Sequence, residues 1–176
     1  MQGEDGAPRT YAAEPVSLPL RQVAPDWIDY NGHMNVAYYT MAFDQAIDLF
    51  LEEALGIGPA FVARSGMGPY ALQAHFHYLG ELRAGESFVP RIRLVDCDAK
   101  RMHVFCELLH GTTGALCATL EQVIVNVDHA TRRATPYPDW AQARLQAMKA
   151  AHAGPERPRQ LGAPIGLARR DREAGS

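Results

Sequence analysis

A long apolar helical pattern constrains this sequence more than any other feature, and it runs from Val36 to Leu55. Apolar residues recur there at three- and four-residue spacing, and polar residues form one line at spacing four. The remaining faces are also largely apolar, and a helix of this kind is normally covered on most sides by other elements. Gly56, Gly58 and Pro59 predict where it ends.

Strand patterns lie on both sides of this helix. Residues 16–23 predict a first strand, with an edge position or an irregular start at Pro19. Four later segments alternate between apolar and polar residues and are predicted as strands: 69–79, 87–95, 101–110 and 115–127. One long helix followed by successive strands predicts an α+β fold, with a five-stranded antiparallel sheet wrapped around the helix.

The ends of the chain differ in composition from the middle. Residues 1–15 are rich in Gly, Ala and Pro and predict a disordered lead. Residues 16–153 predict one folded domain that closes with a surface helix at 139–152. Residues 154–176 are rich in Pro, Gly and Arg and predict a disordered tail.

Charge and cysteine usage exclude several classes of protein. The formal net charge of −3 argues against a general nucleic-acid surface. No apolar run approaches the length that spans a bilayer, so we expect no membrane partner. The three cysteines cannot all pair and none has a C-x-x-C spacing, which is typical of a reduced protein. The first residues lack the basic and apolar regions of a signal peptide, and we therefore expect a cytoplasmic location.

A short polar segment directly before the helix carries the most chemistry. Asp29, Gly32, His33 and Asn35 lie within seven positions. Asn35 is a strong N-cap type, and the free N–H groups of a first helical turn favour negative charge. A carboxylate beside a helix N-terminus provides what acyl transfer needs, namely a base or nucleophile and a stabilised oxyanion. The alternative is that Asp29 only caps a turn.

This segment resembles a known family. The run Asp29-Tyr30-Asn31-Gly32-His33-Met34-Asn35 before a long helix is similar to the hot-dog-fold acyl-CoA thioesterases, in particular the 4-hydroxybenzoyl-CoA thioesterase-like group. The resemblance covers roughly residues 16–127. Residues 75–82 and 98–103 extend it to a subgroup that includes betainyl-CoA thioesterases of carnitine breakdown.

The resemblance implies a set of catalytic roles. Asp29 would act as nucleophile or as general base for water, and the two routes stay open. The backbone N–H of Val36 would hold the oxyanion. His33 and Asn35 complete the candidate catalytic group, although a structural histidine and a helix cap are their alternatives. The family also implies a homodimer or a dimer of dimers, with no metal and no cofactor besides the coenzyme A of the substrate.

Substrate contacts are expected from the loop and from two later segments. Aromatic faces hold quaternary ammonium groups well, and rings in and around the motif therefore favour a short, cationic, betainyl-like acyl group. Basic residues are candidates for the phosphates of coenzyme A. The candidate substrate-binding residues are Gly32, Trp27, Tyr30, His75, Tyr78, Glu81, Lys100 and Arg101.

Two other functions fit the same residues. A hot-dog hydratase or dehydratase would need a histidine paired with an acid, and His33 with Asp44 is the best pair in the sequence. A non-catalytic acyl-binding module is the other alternative. His75 and His77 have a spacing that suits a metal, but no third ligand stands out and a metal is not expected.

Overall fold

The computed structural model describes residues 7–154 and 157–167. The long apolar pattern forms α1, Val36–Phe50, which continues into one π-helical turn, Leu51–Leu55. Gly56 ends it in a left-handed conformation with φ of 75°, which glycine adopts without strain. A short helix, α2, follows at Pro59–Ser65, and α3 spans Asp139–Ala151.

Antiparallel strands form one sheet around α1. In chain order they are β1 Val16–Ser17, β2 Arg21–Gln22, β3 Met67–Tyr78, β4 Ser87–Cys97, β5 Arg101–His110, β6 Leu116–Asp128 and β7 Arg133–Ala134. The strand order is β1-β4-β5-β6-β3, with β2 also on β4 and β7 on β6.

The predicted first strand is divided into β1 and β2. Both pair with β4, so together they fill one position in the sheet. The division lies at Pro19, which has no N–H to give to a ladder. The remaining four long strands follow the predicted segments closely, and the predicted antiparallel sheet around a central helix is confirmed. The described residues give this sheet seven strands where five were predicted, because the first strand is divided and the short β7 is added to β6.

The concave face of the sheet packs on α1. Phe43 and Phe50 of the helix are fully buried, as are Phe88 and Val104 of the sheet. Burying large side chains of this kind is the main favourable contribution to folding. A helix that is apolar on most of its surface is therefore satisfied by a sheet that curls around it.

β3 forms an edge of the sheet, and a β-bulge interrupts it. Its ladder with β6 shifts register between Ala71 and Gln73, so Leu72 is left out of the alternation. Leu72 is 56% exposed within the single chain. Strict alternation along the predicted strand 69–79 would put Leu72 on the same face as Ala74, and the extra residue of the bulge is why that alternation fails.

The ends of the chain touch the domain where they are described. Arg9 and Tyr11 hydrogen-bond to carbonyls at the end of the long helix. At the other end, the N–H of Gly162 donates to Oε2 of Glu121 over 2.6 Å. Residues 1–6 of the predicted lead and residues 155–156 and 168–176 of the predicted tail lie outside the described residues. The predicted domain boundaries stay a prediction.

His152, directly after α3, should make stability depend on pH. Its Nδ1 accepts the N–H of Leu94 over 3.0 Å. Burial lowers the pKa of His152 from 6.5, and the positive charge of Arg93 lowers it further. A lowered folded pKa gives stability that is complete above about pH 6.5 and is lost as pH falls through the folded value. His152→Asn keeps an acceptor for Leu94 without titrating. We expect its melting temperature to fall less than wild type between about pH 7 and pH 5. If calorimetry shows that wild type and His152→Asn lose the same melting temperature over this pH range, His152 does not have this role.

Candidate active site

The polar segment before α1 closes on itself as a tight loop. Ile28 and Met34 form a β-bridge at its base. The N–H of Asp29 donates to the carbonyl of His33 over 3.1 Å, and the N–H of Gly32 donates to the carbonyl of Asp29 over 3.0 Å. Gly32 has φ of 82°, a conformation that side chains disfavour. Gly32 therefore shapes this loop, whereas its predicted contact with substrate stays a prediction.

Contacts from outside the loop fix its position. The N–H of Met34 donates to the carbonyl of Leu82 over 2.7 Å, and that of Asn35 to the carbonyl of Trp27 over 2.9 Å. The Trp27 ring stacks on Tyr38 of α1 with centroids 5.4 Å apart. Trp27 thus packs behind the loop and is not among the residues that line the cavity described below.

The Asp29 carboxylate is hydrogen-bonded at both oxygens. Oδ1 accepts the N–H of Asn31 over 2.8 Å, and Oδ2 accepts Nδ2 of Asn35 over 3.2 Å. The Asn35 Oδ1 accepts the N–H of Ala37 over 2.9 Å, which confirms the predicted N-cap. Within the described part of the chain, no hydrogen bond uses the N–H of Val36. A free N–H at the first position of a helix is suited to bind a negatively charged oxygen.

A cavity of about 530 Å³ opens beside this carboxylate. Seven predicted site residues line it together with five others that the prediction did not select. The predicted ones are Asp29, Tyr30, His33, Asn35, Val36, Tyr78 and Glu81. The others are Asn31, Met34, Tyr39, Leu79 and Gly80.

Tyr39 forms the buried wall of this cavity. Its hydroxyl donates to the carbonyl of Gly80 over 3.1 Å, and its ring meets Tyr78 edge-on at 5.5 Å. Burial raises the pKa of Tyr39 to about 12, with a smaller contribution from the electrostatic effect of the Cys117 thiol. Tyr39 therefore stays protonated near neutral pH and acts as a donor. The sequence marked Tyr39 only as one of several aromatic residues near the motif, with packing of the helix against the sheet as its alternative role. No local pattern links it to Gly80, which is 41 positions away.

Three predicted substrate residues lie away from the cavity within one chain. His75 is on β3 with its ring 4.5 Å from that of His77, and its cross-strand neighbour is Glu121. The Arg101 guanidinium pairs with Asp98 over 2.6 Å, and Lys100 donates to the carbonyl of Ala134 over 3.4 Å.

The distance from Arg101 to the cavity follows from the strand register. Leu108 of β5 is the residue that aligns with Tyr78, through Ala118 of β6. Arg101 comes seven residues earlier on β5, or roughly 23 Å at the rise of a strand. The structure therefore does not bring Lys100 and Arg101 to the cavity of their own chain.

Acidic residues of α1 lie outside the cavity lining. Asp44 and Asp48 are on its exposed face. Partial burial of the Asp48 carboxyl raises its pKa, and the negative charge of Asp44 raises it further. His33 is among the residues that line the cavity, and Asp44 is not. The Nδ1 of His33 lies 3.4 Å from the carbonyl oxygen of Met34. The histidine–acid pair of the hydratase alternative therefore does not share this cavity.

Across residues 7–154 and 157–167, no cluster of three or more His, Cys, Asp or Glu side chains could hold a metal ion. The helices described here are all too short or too polar to cross a bilayer.

The match to a protein family decides what kind of protein this is. Residues 23–145 match the Thioesterase-like superfamily. The chain belongs to that superfamily. The predicted resemblance to hot-dog acyl-CoA thioesterases is thereby confirmed.

Curated relatives carry more specific names. The chain is 31% identical over 145 residues to the betainyl-CoA thioesterase of Pseudomonas aeruginosa, covering 82% of this chain and 91% of that one. It is 30% identical over 158 residues to the L-carnitine dehydrogenase/betainyl-CoA thioesterase of Rhizobium meliloti, covering 90% of this chain. The match spans only 32% of the latter, so this chain corresponds to about a third of that longer protein.

Solved structures share the fold. A putative thioesterase from Pseudomonas putida is 26% identical and superposes with a TM-score of 0.74, over 88% of this chain and 98% of that one. A Staphylococcus aureus protein solved in complex with CoA is 24% identical, with a TM-score of 0.81 over 92% of this chain and 100% of that one.

Proposed function

We propose that this protein is an acyl-CoA thioesterase that hydrolyses a short acyl-CoA to a free acid and coenzyme A. The observation that carries this proposal is the Asp29 carboxylate, held beside a helix N-terminus whose first N–H is free, at the wall of a 530 Å³ cavity. Family membership supports the same reaction.

The chemistry needs only the residues of the loop and the helix. In the general-base route, Asp29 takes a proton from water as the water oxygen bonds to the thioester carbon. The Val36 N–H donates to the oxyanion that forms. The C–S bond then breaks, and the thiolate leaves with the proton that Asp29 returns. In the nucleophilic route, an Asp29 oxygen bonds to that carbon, the C–S bond breaks and the thiolate leaves, which gives a mixed anhydride with Asp29. Water then hydrolyses the anhydride, which releases the acid and restores the carboxylate, and the proton given up by the water goes to the thiolate. Neither route uses a metal, so we expect a chelator to leave turnover unchanged.

A thiol-release assay over a panel of acyl-CoAs tests the proposal. Release of free thiol from at least one of them supports a thioesterase. A change in double-bond absorbance without thiol would instead support a hydratase, and saturable binding without either change would support a binding module. The three free cysteines suit a reducing location, and we place the protein in the cytoplasm.

We propose a short, cationic acyl group of the betainyl type. Tyr30, Tyr39, Tyr78 and Glu81 line the cavity. The Glu81 carboxylate also pairs with Arg83 over 3.5 Å, on an exposed surface where such a pair is weak and leaves the carboxylate able to attract a cation. Aromatic faces attract a quaternary ammonium by about 0.5 to 2 kcal/mol per good contact. The names of the curated relatives support this choice and suggest a place in carnitine metabolism.

The acyl preference has a matched pair of probes. In 3,3-dimethylbutyryl-CoA a neutral carbon replaces the ammonium nitrogen of betainyl-CoA, with nearly the same shape. We expect kcat/KM for betainyl-CoA to be higher by roughly tenfold, from one or two aromatic contacts. Glu81→Gln should reduce that ratio, whereas Glu53→Gln, an exposed acid at the far end of the helix, should not. Equal values for both probes, or a clear preference for a long-chain acyl-CoA, would reject the cationic substrate.

We also propose that two copies pair along β3, as a homodimer or a dimer of dimers. Among the residues that the structure describes, β3 pairs with β6 on one side only, and an exposed strand edge readily pairs with another chain. Leu72 on this edge and Leu20 near the opposite edge are 56% and 59% exposed. We expect Leu72→Asp to lower the mass measured by light scattering, and Leu20→Asp to leave it unchanged. A wild-type protein that stays monomeric at micromolar concentrations would contradict the pairing.

A further inference from the structure

We infer that Asn35 positions the Asp29 carboxylate against the helix N-terminus, beyond its role as a helix cap. This inference rests on the proposed hydrolysis. It assigns Asn35 as a positioning residue, because its side chain would act on the reacting groups through Asp29.

The two ends of the Asn35 amide have different partners. Its Oδ1 accepts the N–H of Ala37 over 2.9 Å, and its Nδ2 donates to Oδ2 of Asp29 over 3.2 Å. A backbone N–H only donates and an ionised carboxylate only accepts, so the amide has one orientation that satisfies both partners. The side chain therefore links the first turn of α1 to the carboxylate.

The other hydrogen bond of Asp29 cannot provide this link. Oδ1 accepts the N–H of Asn31, which belongs to the same loop and moves with it. Among the hydrogen bonds of the described residues, the Asn35 amide is what joins the carboxylate to the helix. The helix carries the Val36 N–H, the proposed oxyanion donor. Asn35 thus sets the separation between the group that activates water and the group that holds the oxyanion.

Capping alone does not require asparagine at this position. Asparagine, aspartate and serine are about equally good N-caps. Aspartate at position 35 would cap the helix but would bring no donor, and it would place a second carboxylate beside Asp29. Serine would also cap the helix, but its single, shorter hydroxyl cannot reach both partners in the same way. These two substitutions therefore separate the cap from the positioning role.

The experiment compares Asn35→Asp, Asn35→Ser and Asn35→Ala by steady-state thiol release and by melting temperature. For Asn35→Asp we expect a kcat lower by on the order of a hundredfold, the usual cost of misplaced catalytic groups. Its melting temperature should lie between those of wild type and Asn35→Ala, because the cap is kept while the new carboxylate repels Asp29. For Asn35→Ser we expect a melting temperature near wild type and a kcat lower by roughly tenfold. KM should change little in both. Asn35→Ala should lose both melting temperature and kcat.

A double-mutant cycle isolates the contact with Asp29. In an Asp29→Asn background, Asn35→Asp should cause little further loss of the residual rate, because the two residues act as one unit. Asn35→Asp and Asn35→Ser with wild-type kcat would show that Asn35 is only a cap. If Asn35→Asp does not fold, the neutral serine variant decides. A wild-type protein that releases no thiol from any acyl-CoA would reject the proposed function and this inference with it, whereas an active wild type with fully active variants would reject only the inference.

Discussion

Asp29→Asn should lower kcat for thioester hydrolysis by on the order of a hundredfold or more, the contribution that a general base alone supplies. The amide has nearly the size of the carboxylate but is neither a base nor a good nucleophile, so both open routes lose their central group. The measurement is thiol release at saturating substrate, with a melting curve to show that the variant is folded.

The control for this substitution lies three residues earlier. Asp26→Asn removes the same charge from an exposed side chain in the Pro25–Trp27 turn, which does not line the cavity. We expect it to retain wild-type turnover. An Asp29→Asn variant that also retains wild-type turnover would show that the proposed mechanism is wrong.

Arg144→Met should destabilise the protein by about 2 to 3 kcal/mol, the range for hydrogen bonds from a charged group. Arg144 is only 3% exposed, and its Nη1 donates to the carbonyl of Leu55 over 2.9 Å while its Nη2 donates to that of Ala7 over 3.0 Å. Its guanidinium also lies over the Trp140 ring at 4.7 Å. Methionine fills part of the space but leaves the carbonyl at the end of the long helix without this donor.

The expected loss corresponds to a fall in melting temperature of roughly 4 to 12 °C for a chain of this size. Arg144→Lys keeps the charge but not the planar set of donors, so its melting temperature should lie between the two. Gln146→Ala, at an exposed position of the same helix, should leave it unchanged. A methionine variant as stable as wild type would show that the helix end does not depend on Arg144.

The sequence predicted the local structure of the candidate site, whose parts lie close together in the chain. The carboxylate, the glycine turn, the cap and the helix start all fall between Asp29 and Val36, and the hydrogen bonds of the Asp29 and Asn35 side chains join residues at most six positions apart. Preferences at this range depend on residue type and spacing, which can be read without a fold. The long helix and the four later strands were predictable for the same reason, from the period of their apolar residues.

Only the tertiary structure decided which distant segments meet. The Tyr39 hydroxyl finds Gly80 across 41 positions, and Arg144 finds Leu55 across 89. The register of the strands places Arg101 far along the sheet from Tyr78, and a bulge takes Leu72 out of the alternation of β3. These outcomes depend on how strands align side by side and on which helix covers them. Many alignments satisfy the same alternating pattern of apolar residues, and the packing of the whole core selects one.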